Sequence, residues 1–142
     1  MEARVTKVAK VSARFSKSLA RRRLRPNQEK VRDPYVYIYY FAAGACHLFL
    51  GHVDQAIDLF RKARAANPRV FYLHLWLAGA LGLNGDLDEA RAALAESLKL
   101  KPEANSLAAW RAATPWITYP PYWALREKTV NVDLRRAGFP EE

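Results

Sequence analysis

Cysteine is almost missing from this chain. The single Cys46 has no partner for an internal disulfide, and no set of Cys and His at metal-ligand spacing accompanies it, so neither a disulfide scaffold nor a structural zinc site is expected. A reducing, cytoplasmic setting fits best. A membrane-length apolar run is missing too: the longest candidate, residues 35–50, is shorter than the ~20 residues a span needs and gives way to His52 and Asp54. The amino terminus holds no continuous apolar stretch of signal-peptide length. Glycine-rich phosphate loops, a nucleophile elbow and paired carboxylates in a predicted cleft are all lacking. No catalytic residue, metal site or cofactor is therefore expected, and the chain is read as a non-enzyme.

What is present is a repeat. Pro34, Pro68 and Pro102 recur at an interval of 34 residues, and Gly51 and Gly85 recur at the same interval between them. An interval of this length indicates an array of helical hairpins. Superposing the units sets Gly51, Val53, Ala56, Phe60, Ala63 and Pro68 against Gly85, Leu87, Ala90, Leu94, Ser97 and Pro102. Glycine permits a left-handed turn after each first helix. Small Ala56 and Ala90 let the second helix approach the first, and Phe60 and Leu94 fill the space one turn later. Proline ends the second helix and helps start the next. Asp86 with Glu89 is expected to form a capping box, with His52 and Gln55 as a weaker counterpart. Helices are expected at about 35–50, 53–66, 69–83, 87–100, 104–113 and 121–137. On that layout Cys46 and His47 fall inside the first helix as packed groups, and the acidic Asp86, Asp88 and Glu89 sit at a helix amino terminus, where their charge is favourable.

The two units resemble the tetratricopeptide repeat. Tyr40, Ala43, Gly44, His47, Gly51, Val53, Ala56, Phe60, Ala63 and Pro68 stand at its signature places, and the second series ends at Pro102. His47, His74 and Ser97 depart from the pattern. The resemblance implies an all-α, α-α superhelix of two clear hairpins plus a diverged C-terminal capping unit, filling residues 34–142. The cap gathers Trp110, Trp116, Tyr119, Pro120, Pro121, Tyr122 and Trp123, which suit the covering of an exposed repeat end or, alternatively, an aromatic ligand site. The stretch from Asp33 onward, with its ending Thr129-Val130-Asn131 and Arg135-Arg136-Ala137-Gly138-Phe139-Pro140, is similar to the repeat region appended to some bacterial class III adenylate or guanylate cyclases. The cyclase catalytic domain itself is absent, and the chain then resembles a regulatory remnant of such a signalling protein.

The same resemblance implies where a partner protein would bind. First helices line the concave groove in this family, which gives Ile38, Phe41, Ala45, Leu48 and Phe49 from one unit with Tyr72, Leu75, Gly79, Gly82 and Leu83 from the other. This groove is apolar and lacks the Lys, Arg and Asn of a carboxylate clamp, so it suits an apolar helix or extended segment of a partner. The alternative is that these residues pack against the chain's own first or last helix, or against a second copy in a homodimer.

Charge lies almost wholly at one end. Residues 1–33 hold 11 of the 23 Lys and Arg and 3 of the 14 acids. Val5, Val8, Val11 or Ser12, Phe15 and Leu19 fall at helical spacing, with Lys7, Lys10, Arg14 and Lys17 between them, followed by Arg21, Arg22, Arg23 and Arg25. Such a basic arm suits a nucleic-acid backbone, an anionic membrane surface or an acidic partner. It equally suits a solvated or disordered leader whose apolar stripe covers the first hairpin, and its Ser12, Ser16 and Ser18 with few acids resemble an organelle transit peptide.

Overall fold

The computed structural model describes Lys10, Arg14 and residues 33–142. Seven helices follow Asp33: α1 Val36–Phe49, α2 Val53–Ala66, α3 Phe71–Asn84, α4 Leu87–Leu100, α5 Leu107–Ala112, α6 Pro120–Glu127 and α7 Val130–Arg136. No strand occurs among the described residues. α1 packs on α2 and α3 on α4 as two hairpins, α2 joins them through α3, and α7 returns to lie on α3.

Both hairpin turns follow from their glycines. Gly51 has φ 79° and Gly85 has φ 89°, and the residue after each sends its N–H back to the helix, His52 to the His47 carbonyl and Asp86 to the Leu81 carbonyl, both at 2.9 Å. These bonds satisfy carbonyls that the helix end would leave open. Ala56, Ala63 and Ala90 are fully buried at the crossings.

Size is traded between the two hairpins. A Cβ on Gly44 would lie 2.8 Å from the Phe60 ring, so glycine on α1 makes room for a large ring from α2. In the second hairpin the corresponding pair is Ala78 and the smaller Leu94, both buried. The departures from the repeat pattern also find partners. Ser97 donates its hydroxyl to the Phe71 carbonyl at 3.0 Å, and buried His74 bonds the Pro68 carbonyl through Nε2 at 2.8 Å, which fixes that nitrogen as the donor.

Three expectations are corrected. The capping box does not form: Asp86 makes no side-chain cap, because its carboxylate accepts from Asn84 Nδ2 at 2.7 Å, while Glu89 reaches across to Arg61 on α2. His52 likewise provides no side-chain cap. The helix expected at 104–113 begins at Leu107, where Ser106 accepts the Ala109 N–H at 3.0 Å. The single helix expected over 121–137 is broken at Lys128 and Thr129, where the Thr129 hydroxyl donates to the Leu125 carbonyl at 2.7 Å. That break turns α7 back toward α3.

Candidate functional site

Superposition by the repeat interval sets Ile38, Phe41, Ala45, Leu48 and Phe49 of α1 against Tyr72, Leu75, Gly79, Gly82 and Leu83 of α3. The two faces have different fates. On α3 the chain covers its own face: a Cβ on Gly79 would stand 3.0 Å from Val130 Cγ1, and one on Gly82 would stand 2.8 Å from the Asp133 carbonyl oxygen. Only hydrogen at these two positions lets the α7 backbone come so near. Leu75 is buried in the core and Leu83 is exposed at the end of the helix. Leu75, Gly79 and Gly82 are thus occupied within the chain.

On α1 the inner face is only partly covered. Ile38 is 40% exposed, and Phe41, Ala45 and Phe49 are half-buried. Phe41 stacks edge-on against Tyr72 at 5.0 Å and Trp76 at 5.3 Å. Phe49 touches Trp76 at 5.7 Å and Tyr122 of α6 at 6.3 Å. Leu48 is 2% exposed and belongs to the core. Tyr72 is half-buried, and burial, then neighbouring Tyr37, raises its hydroxyl pKa. Ile38 is thus exposed, while Phe41, Ala45, Phe49 and Tyr72 are half-buried and pack against the core.

Residues 41–105, the two hairpins, match the family model of the tetratricopeptide repeat. The two hairpins are similar to tetratricopeptide repeats. Neither a curated protein nor a solved structure matches the chain.

The repeats are closed by a C-terminal lock. Arg126 is 1% exposed, and its guanidinium lies 3.5 Å above the Trp110 ring, with Trp123 at 5.0 Å and Trp76 at 5.6 Å. Its Nη2 donates to Asn131 Oδ1 at 3.2 Å, whereas Nε is buried without a partner. Burial lowers its pKa to about 10, so it stays charged at neutral pH, held chiefly by aromatic faces. Asn131 passes the link to Glu127 at 2.6 Å, and Arg135 bonds both Glu127, at 2.8 Å, and Glu141. Asp133, on α7 itself, is buried, which raises its carboxyl pKa against the opposing pull of Arg136 at 3.1 Å.

The distinctive ending of the chain acquires a structural role here. Gly138 has φ 94°, Phe139 sends its N–H to the Leu134 carbonyl at 2.9 Å, and its ring is buried. The carbonyls of Pro140 and Glu141 then accept the N–H groups of Leu107 and Ala108, both at 2.9 Å. The tail caps α5 and closes a circuit from α5 through α6 and α7 back to α5.

The cap aromatics divide between two tasks. Trp110 is buried and Tyr122 and Trp123 are half-buried, but Trp116 is 73% and Tyr119 65% exposed. Beside them Arg111, Thr114, Pro115, Ile117, Thr118, Pro120 and Trp123 line an open cleft of about 290 Å³. At the first turn His47 and His52 bring their Nδ1 atoms to 3.2 Å, and burial, with the charge of His52, lowers the pKa of His47. Burial raises the Cys46 thiol pKa, which disfavours the thiolate. Among the described residues no group of three or more His, Cys, Asp and Glu is placed to hold a metal, and no helix is long and apolar enough to cross a membrane. Of the basic arm, Lys10 and Arg14 are helical and exposed; Lys7, Lys17, Arg21, Arg22, Arg23 and Arg25 lie outside the described residues.

Proposed function

We propose that the chain is a protein-binding tetratricopeptide module whose usable groove is the inner face of the first hairpin. The observation that carries this reading is the contrast between the two faces: α7 fills the second, while Ile38, Phe41, Ala45 and Phe49 keep apolar surface accessible on the first. The seat of α7 also supports the kind of partner inferred. A helix already rests on one first-helix face of this array, so an apolar helical segment is the natural occupant of the equivalent face. Binding energy would concentrate in a few anchors, with Phe41, Phe49 and Tyr72 providing the large rings. The similarity of the C-terminal stretch to repeat regions appended to cyclases would place such a partner in a signalling assembly. The module acts by binding, with no chemical step.

The test is a photo-crosslinking residue at position 38, compared with one at Leu100, which is also exposed. Capture of a partner at 38, absent at 100 and abolished by Ala45→Glu, is the expected result. Equal capture at both positions, or capture indifferent to Ala45→Glu, would remove the first-hairpin face from consideration.

A further inference from the structure

The cleft beside α5 and α6 is not accounted for by the packing of the repeats. Its volume of about 290 Å³ stands at the lower end of the ~300–1,000 Å³ typical of small-molecule sites. Pro115, Ile117 and Pro120 give it apolar walls beside Trp123. These walls are fixed in place: the Trp123 indole N–H donates to the Ile117 carbonyl at 2.9 Å, and Ile117 sends its own N–H to the Thr114 carbonyl at 3.1 Å.

Positive charge gathers here without an acid to balance it. The exposed Arg111 lies over the Trp123 ring at 4.9 Å, and the buried Arg126 lies 5.0 Å from the same ring. Arg111 has no carboxylate partner among the described residues. Arg126 meets the amide oxygen of Asn131 and no carboxylate, and its Nε is buried without a partner. No Asp or Glu occurs between Glu103 and Glu127. Glu127, exposed on α6 one turn beyond Trp123, is engaged by Arg135 at 2.8 Å and Asn131 at 2.6 Å, and neither it nor Glu103 lines the cleft. A buried cation is screened less than an exposed one, so Arg126 adds to the positive potential that a ligand in the cleft would meet.

We propose that this cleft binds a small organic carboxylate, with the carboxylate on Arg111 and an apolar body against Ile117, Trp123 and the two prolines. A guanidinium presents paired donors at the spacing of the two carboxylate oxygens. Phosphate fits less well: α6 opens with Pro120 and Pro121, so its first turn lacks the N–H groups with which helix starts hold phosphate. The volume admits a body of about one aromatic ring and is too small for a nucleotide. This site belongs to the cap alone and is independent of the first-hairpin groove.

The test follows the indole N–H signal of Trp123 by NMR in the full chain, assigned through its loss in Trp123→Phe, during titration with phenylacetate. A saturable shift with a Kd of about 1 mM is expected for a ligand of this size. Phenylacetamide, which keeps the shape without the charge, and acetate, which keeps the charge without the body, should each bind about tenfold more weakly or worse. Arg111→Gln should weaken phenylacetate by about tenfold or more without changing the helical circular dichroism, and the comparison of acid with amide decides on the native chain whatever that variant does. A short peptide ending in a free phenylalanine carboxylate should bind no more tightly than phenylacetate. The proposal is overturned if phenylacetate leaves the Trp123 signal unmoved, if the amide matches the acid, or if Arg111→Gln leaves the Kd unchanged. Tighter binding of the peptide also overturns it, by reassigning the cleft to a protein terminus.

Discussion

The two hairpins share an interval, a turn glycine and a packing plan, yet α7 covers Gly79 and Gly82 on the second inner face while the first is left partly exposed at Ile38. Ala45 and Leu48 on α1 correspond to Gly79 and Gly82 on α3, and those two replacements separate the fates of the faces. Removing the side chains lets the α7 backbone approach α3 closely, and its Asp133 carbonyl oxygen lies 2.8 Å from where a Cβ on Gly82 would stand. A repeat face can therefore be committed to internal use by its small residues alone. Two hairpins are fewer than the ~3 repeats that usually make a stable stack, and the returning helix supplies the missing neighbour from within the chain.

The largest change should come from making the second face like the first. Gly82→Leu, which copies Leu48, places a branched side chain against the α7 backbone and is expected to cost about 3 kcal/mol in urea unfolding. Gly79→Ala, which copies Ala45, meets a Val130 methyl and not the backbone and should cost about 1–2 kcal/mol, less than Gly82→Leu. Equal losses at the two sites would remove the distinction drawn between backbone and side-chain contact. Next in size is Arg126. Truncation to alanine leaves a cavity beneath Trp110 and should cost about 2–4 kcal/mol, whereas Arg126→Met fills the space without burying a charge and should stay within about 1 kcal/mol of the native chain. A methionine variant as unstable as the alanine one would show that the guanidinium, and not its volume, holds the lock.

Acidity should move the two regions in opposite directions. The pKa of His47 is lowered from its ordinary 6.5, so between its folded value and 6.5 the unfolded chain binds more protons and the first hairpin loses stability as pH falls. Asp133 is raised from 3.8, so its contribution is fully present below 3.8 and is lost as pH rises through the folded value. Melting temperature against pH should accordingly flatten on its acid side in His47→Leu. Asp133→Asn should gain on the native chain at neutral pH and converge with it in acid. Parallel curves for either variant would contradict the assignment. The smallest effect belongs to Arg61→Ala, which breaks the bridge to Glu89 at 2.7 Å between half-exposed side chains and should cost no more than about 0.5 kcal/mol.

The repeat core was legible because its signals are local. Gly51, Gly85, Ala56 and Ala90 mark turns and crossings through the backbone freedom or size of single residues, and the first four helices fall within two residues of the expected bounds. The cap was harder to read. Nothing adjacent to Thr129 distinguishes a break from a continuing helix, since the turn is stabilised by where α7 lands. Gly79 and Gly82 were readable as points of close approach, but their occupants, Val130 and Asp133, are 51 residues away along the chain. A usable signal was the run Val130, Leu134 and Ala137, whose helical spacing supplies an apolar face that needs a seat. Arg126 gave no such signal, because an arginine among tryptophans reads as surface charge until tertiary packing encloses it. Asp86 fits the capping pattern and is drawn away by Asn84, a competition that spacing alone leaves open.

Backbone hydrogen exchange across residues 128–142, in the native chain and in Gly82→Leu, tests most directly whether α7 is seated on the second hairpin. The seated helix predicts protection of residues 130–137 comparable to that of α3 in the native chain, and its selective loss in Gly82→Leu while α1 and α2 keep theirs. Rapid exchange over 130–137 in the native chain, or protection there that Gly82→Leu leaves unchanged, would contradict it.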